Sequence, residues 1–177
     1  MELTGSRLIN ADRETVWAAL NDPDVLKACI PGCSELLRDE DGGFTAVVTQ
    51  KVGPVKATFK GAVSLGDIVP LESYTITGEG KGGAAGFAKG GAKVRLADAE
   101  GGTELGYDVE ARVGGKLAQL GSRLVDGFAK KMADKFFENF QTAVEGPDES
   151  EESEPKAKKK SWLKRLRKGD AAEDDGK

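Results

Sequence analysis

Cys29 and Cys33, either side of Ile30-Pro31-Gly32, are the only thiols in the 177 residues. A redox or metal role for the pair would need further ligands. Histidine, the commonest of these and the usual general base at neutral pH, does not occur in the sequence. The two cysteines therefore read as free thiols of a reducing compartment. Tyr107 and Thr103 supply inward-facing hydroxyls, but the charged residues beside them alternate outward. That pattern offers acid–base chemistry no paired groups. Gly78, Gly80 and Gly83 match G-x-G-x-x-G within GEGKGGAAGFAKGG (78–91). No helix or βαβ unit follows, so nucleotide binding is not expected. The segment reads as sheet curvature or a flexible hairpin anchored by Phe87, or as a flap at a pocket mouth. What is left to the chain is binding.

The element best suited to binding is Gly115–Val144. Leu117, Leu120, Leu124, Phe128, Met132, Phe136 and Phe140 recur every three or four residues, on one side of a helix about 45 Å long. Arg123, Lys130, Lys131, Asp134 and Lys135 form its solvated side. Gly121 and Gly127 interrupt it, each costing about 1 kcal/mol relative to alanine in a helix interior. Gly121 reads either as a point of close backbone approach or as room left beneath the helix for a ligand.

The rest of the chain should be built to receive that helix. Glu2–Asn10 reads as a strand. Asp12 caps one short helix, and Asp22-Pro23 starts a second that ends at Pro31-Gly32. From Cys33 the period changes to two. Strands are expected over 35–39, 44–52, from Val55 through Leu65, 73–77, 93–97 and 103–113. Val55, Ala57, Phe59, Val63 and Leu65 share one face, as do Leu105, Tyr107, Val109, Ala111 and Val113. A sheet apolar on one side needs a cover, and only the long helix is large enough.

Charge divides the chain again. Residues 1–145 hold 17 Lys and Arg against 21 Asp and Glu, and the last 32 hold nine of each. The expected organisation is a globular domain over 1–146, an acidic disordered linker over 147–155, a basic amphipathic segment over 156–168 and an acidic tail over 169–177. The basic segment holds Lys156, Lys158, Lys159, Lys160, Lys164, Arg165, Arg167 and Lys168. Trp162, Leu163 and Leu166 lie on one face of a two-turn helix within it. The acidic domain and the lack of grouped stacking aromatics argue against nucleic acid. An anionic membrane surface fits better. MELTGSRLIN lacks a signal-peptide pattern and no run has the length of a membrane span. The expectation is a cytoplasmic protein, peripheral on the inner face of the cytoplasmic membrane.

VWAALNDPDVLKACIPGC (16–33), VGPVKATFKGAVSL (52–65), GKGGAAGFAKGGAKVRL (80–96) and TELGYDVEARVGGKLAQLGSRL (103–124) resemble the CoxG family, the G subunits of carbon monoxide dehydrogenase. That family lies within the START-like (SRPBCC) helix-grip superfamily. The resemblance implies an α+β helix-grip fold: a curved antiparallel sheet wrapped around a long C-terminal helix, with two short helices after the first strand and an apolar cavity within. It implies service to carbon monoxide dehydrogenase or a related molybdenum hydroxylase at the membrane. The cavity would take an isoprenoid quinone, such as menaquinone or ubiquinone, or a similar lipid. Sequence pattern assigns to that cavity Leu26, Ile30, Phe59, Phe87, Tyr107, Leu117, Leu120, Gly121, Leu124, Phe128 and Met132. No metal and no catalytic residue are expected. A ligand-free assembly factor and a cyclase or hydrolase of the same superfamily are the alternatives.

The tail reading has a direct test. The full chain should sediment with anionic vesicles at low salt, release as salt rises and bind neutral vesicles poorly. Trp162→Ala should weaken binding moderately. Truncation at Lys156 should remove most of it without shifting the melting of the domain.

Overall fold

Each run of alternating polar and apolar residues forms a strand, and the strands close into one antiparallel sheet. The computed structural model describes residues 1–146. The expected linker, basic segment and acidic tail (147–155, 156–168 and 169–177) lie outside the described residues. β1 (Glu2–Ile9) is followed by α1 (Arg13–Leu20) and α2 (Pro23–Cys29). β2 (Cys33–Arg38), β3 (Phe44–Val52), β4 (Val55–Val69), β5 (Ser73–Lys81), β6 (Phe87–Ala99) and β7 (Gly102–Gly114) then run as a meander. β1 returns to pair with β7, giving the order β1-β7-β6-β5-β4-β3-β2. The fold is α+β, with seven curved strands beneath a long C-terminal helix.

Local chemistry sets the helix starts. The Asp12 carboxylate accepts from the Thr15 N–H at 2.8 Å and caps α1. These bonds hold its carboxyl below the usual carboxylate range. Asp22 caps α2 through the Asp24 N–H, with Pro23 at the first position. The glycine-rich stretch 78–91 is not a separate flap. β5 runs on to Lys81 and β6 begins at Phe87, so only residues 82–86 turn, around a single 3-10 turn at Gly83–Ala85.

The C-terminal helix differs from the continuous rod expected. It divides into α3 (Lys116–Gln119) and α4 (Ser122–Glu145). Gly121 sits between them at φ 94°, ψ 151°, a conformation that a side chain disfavours, and a Cβ built on it would meet nothing within 4 Å. Gly121 is thus a corner, neither an interior helix residue nor a space-maker beneath the helix. Gly127 lies inside α4, and a Cβ there also meets nothing.

α4 is held by its C-terminal half. Phe137 and Phe140 are its buried residues, and they join Ile9, Val16, Leu20, Val94, Leu96 and Leu105 in the core. Among the described residues, every side-chain bond from α4 to the rest of the domain involves Asp134 or a later residue. Arg7 donates to Asp134 at 2.6 Å, Asn139 donates to the Cys29 carbonyl at 2.9 Å and Gln141 to the Leu8 carbonyl at 3.1 Å. The Asn10 N–H donates to Glu145 at 2.9 Å. Phe128 is only half-buried and Leu124 is exposed. The helix is anchored at one end and overhangs at the other.

Gly121→Ala therefore places a Cβ in a glycine-only conformation rather than improving a helix. It should destabilise the domain by about 1–3 kcal/mol, read as a lower urea midpoint with an unchanged slope. Gly127→Ala, inside the helix with open space around it, should stabilise by up to about 1 kcal/mol.

Candidate functional site

Under the overhang the sheet is floored by small residues. One cross-strand row is Gly61–Gly80–Ala88–Val113, and the next is Val63–Gly78–Gly90–Ala111. The third is Leu65–Ile76–Ala92–Val109, and the fourth contains Tyr74–Val94–Tyr107. Side-chain volume grows row by row toward the anchored end of α4. Where the rows are small, helix and sheet cannot meet, and a cavity of 640 Å³ lies between them. Such a volume suits a ligand of drug size, for which pockets run about 300–1,000 Å³.

The cavity roof is Met132, Ala133, Phe136 and Phe137 of α4, with Leu26, Ile30 and Pro31 from α2 and the turn after it. Phe137 stacks on Tyr107 with ring centroids 4.9 Å apart, and Arg7 covers its other side at 5.2 Å from the centroid. The same arginine pairs with Asp134, whose carboxyl it holds below its ordinary range. The Tyr107 ring leans across β1 onto Gly5, where a Cβ would collide with its hydroxyl. Glycine at position 5 is what lets the tyrosine lie flat against Phe137.

Polar groups on the wall are few. Tyr74 is buried, packs edge-on against Trp17 at 5.4 Å, and has its hydroxyl proton held more tightly by desolvation. Its hydroxyl has no protein partner among the described residues. No buried side-chain polar atom is left unsatisfied, so this hydroxyl opens onto the cavity it lines. Thr103 makes no such offer: it is wholly buried and donates to the Ala11 carbonyl at 2.7 Å. Glu79, Lys89 and Glu110 belong to floor strands, but they alternate outward and are exposed. Among the described residues no group of three His, Cys, Asp or Glu could hold a metal ion. The arrangement suits retention of an apolar molecule with a single hydrogen-bond donor beside it.

Of the residues the sequence assigned to the cavity, the structure brings together Leu26, Ile30, Phe59, Tyr107 and Met132. The other six lie off its wall. Leu117 is buried, within α3, which packs on β7 and the 82–86 turn. Leu120 and Gly121 form the corner, Leu124 rests at the Gly53 turn, and Phe128 lies one turn further along the overhang. Phe87 lies over Gly114 and is exposed. The cause is shared: the break at Gly121 and the exposed first turns of α4 carry these residues past the sheet rather than over it. Missed from the sequence were Tyr74, Phe136 as a wall residue, and above all Phe137. Its signal lay in Phe136-Phe137, where only one ring fits the seven-residue apolar stripe but α4 is broad enough to bury both.

Cys29 and Cys33 also differ in setting. Cys29 is buried at the α2–α4 contact and desolvation pushes its thiol up to about 12. Cys33 is half-exposed; burial raises it, while its bond to the Glu35 carbonyl and nearby Lys27 pull it back. With the disulfide-exchange reagent DTNB at mildly alkaline pH, native protein should release one thiol, from Cys33. The second should require denaturant, because the thiolate is the reacting form. Two fast thiols would contradict this placement.

Comparisons with known proteins bear on the domain as a whole. The family model for CoxG, described as the G subunit of carbon monoxide dehydrogenase, matches residues 5–145. A conserved protein from Geobacillus kaustophilus is similar in structure, with 32% sequence identity and a TM-score of 0.75 over 81% of this chain and 95% of that one. A protein from Chromobacterium violaceum gives 19% identity and a TM-score of 0.61, over 83% and 99%. One from Thermus thermophilus gives 15% and 0.62, over 81% and 97%. At those identities the last two share the fold and nothing more. No protein of curated function matches in sequence.

Proposed function

Because the chain belongs to the CoxG family of carbon monoxide dehydrogenase, we propose that it is a non-catalytic adaptor for carbon monoxide dehydrogenase or a related molybdenum hydroxylase. In this reading it holds an isoprenoid quinone or similar lipid, brings the enzyme to the inner face of the cytoplasmic membrane and couples it to the respiratory quinone pool. The observation that carries the ligand is the cavity: 640 Å³, walled by aliphatic and aromatic side chains, with the Tyr74 hydroxyl turned into it.

The residues divide the work. The small floor, with Phe59, Met132 and Phe136 around it, takes the isoprenoid portion, each buried CH₂ contributing about 0.8 kcal/mol. Tyr74 donates to a carbonyl oxygen of the ring, and its high proton affinity keeps it a donor at neutral pH. Tyr107, fixed by Phe137 and Gly5, offers an aromatic face. A quinone bound there would accept two electrons and two protons and leave as the quinol. No helix among the described residues is long and apolar enough to cross a membrane. Peripheral attachment through residues 156–168 is the route their composition supports.

Solvent extraction and mass spectrometry of the full chain, purified from a quinone-containing host, should return a quinone or lipid in near-stoichiometric amount. Ala88→Phe and Ala111→Leu, which fill the floor, should cut that amount severalfold while leaving the protein folded. Tyr74→Phe should weaken retention by about 0.5–1.5 kcal/mol, one hydrogen bond. Partner enzyme with its substrate should reduce the bound quinone at a rate that depends on this protein. Extracts without lipid from wild type, or reduction of quinone equally fast without the protein, would overturn the carrier role.

A further inference from the structure

Charge on the folded domain is sorted by end. Antiparallel pairing brings the Gly53 turn, the 82–86 turn and the β7–α3–α4 corner together at one end of the sheet. Residues 51–56, 81–87 and 112–124 contain Lys51, Lys56, Lys81, Arg112, Lys116 and Arg123 and no carboxylate. All six are exposed, and none takes part in an ion pair among the described residues. The opposite end is formed by residues 10–14, 20–24, 38–43, 66–73 and 97–104. It carries twelve Asp and Glu against two arginines.

Two apolar side chains stand among the six cations. Leu124 is 41% exposed and Phe87 39%. Leu124 touches the Gly53 turn, where a Cβ would come within 2.8 Å of it, and Phe87 lies over Gly114. The N-terminus of α4 points the same way with no side-chain cap, so its positive pole and unpaired N–H groups add to the field of the cations.

We propose that this end of the folded domain is a docking surface for an anionic lipid bilayer, distinct from the basic segment at 156–168. The six cations lie at the level of the headgroup phosphates, and Leu124 and Phe87 enter the interface between them. A lipid surface accounts for both features together: cations spread over three connected turns, and apolar tips among them that a nucleic acid would not use. The acidic opposite end is repelled by the same surface, so binding is oriented. Docking this way places the 82–86 turn on the membrane. Phe59, whose ring lies against Gly82, is also a wall of the cavity. The bilayer would then lie one side chain from the cavity, whatever ligand it holds.

The test uses the full chain and vesicles of phosphatidylcholine with about one third phosphatidylserine, at about 0.1 M salt. Lys81→Glu, Lys116→Glu and Arg123→Glu together should lower the partition coefficient by about tenfold or more. The same number of reversals at exposed Lys27, Lys93 and Lys135 changes net charge equally and should cost much less. In a chain carrying Trp162→Phe, Leu124→Trp should show blue-shifted emission and quenching by lipids brominated in the upper acyl chain. Thermal melting checks that each variant is folded. Equal losses from both triple variants, or an indole that stays unquenched, would overturn the proposal. So would loss of binding to the partner enzyme with vesicle binding unchanged, which would make this end a protein contact.

Discussion

The domain depends on α4 being gripped over only half its length. From Asp134 onward the helix buries two phenylalanines and makes polar contacts to β1, α2 and the loop after β1. Before Asp134 it makes no side-chain bond to the rest of the domain among the described residues. A helix packed on the sheet along its full length would leave no interior volume. One anchored at neither end would lose the core, since removing a buried phenylalanine alone costs about 3–5 kcal/mol. Stability and hollow are thereby separated in space. The core lies between Ile9, Val94, Leu96, Leu105 and Phe140, and the cavity lies where the floor residues shrink to glycine and alanine.

This division explains what could be read from sequence. Period two in β4 and β7 and the caps at Asp12 and Asp22 are local signals, and the strands and short helices follow them closely. The need for a cover over a one-faced sheet identified the helix. The cavity's floor was not legible, because Gly78, Gly80, Ala88 and Gly90 become one surface only through strand register. The glycine-rich segment that holds them read equally well as curvature or flap. The helix residues were misplaced for a related reason. Leu117, Leu120, Leu124 and Phe128 fit the apolar period perfectly, but periodicity carries no information about where a helix leaves its sheet. The corner at Gly121 depends on a positive φ, and glycine in a helical pattern does not announce one.

Phe137 shows the converse. It departs from the stripe of three and four, yet it is the most heavily engaged aromatic of α4, stacked on Tyr107 and covered by Arg7. The stack works because Gly5 on β1 has no Cβ, so an edge-strand glycine far from the helix decides how a helix residue is held. The Arg7–Asp134 pair then fixes the roof at the point where the grip begins. Its contribution as an exposed ion pair is small, but its position marks the boundary between packed helix and overhang. Arg7 thus acts on the cavity through geometry rather than energy.

The same boundary gives meaning to the sorting of charge. In a domain of net charge −4 over residues 1–145, cations free of neighbouring carboxylates are the exception, and six of them gather at the loose end. Gathering them there opposes stability, because like charges repel most where the fewest contacts hold the chain. A purely structural account would spread them out or pair them, as Arg7, Arg13 and Arg95 are paired elsewhere. The overhang, the small-residue floor and the unpaired cations share one end of the molecule. Each is unfavourable for packing alone, and each is what a protein needs if that end must meet a charged surface and admit an apolar guest.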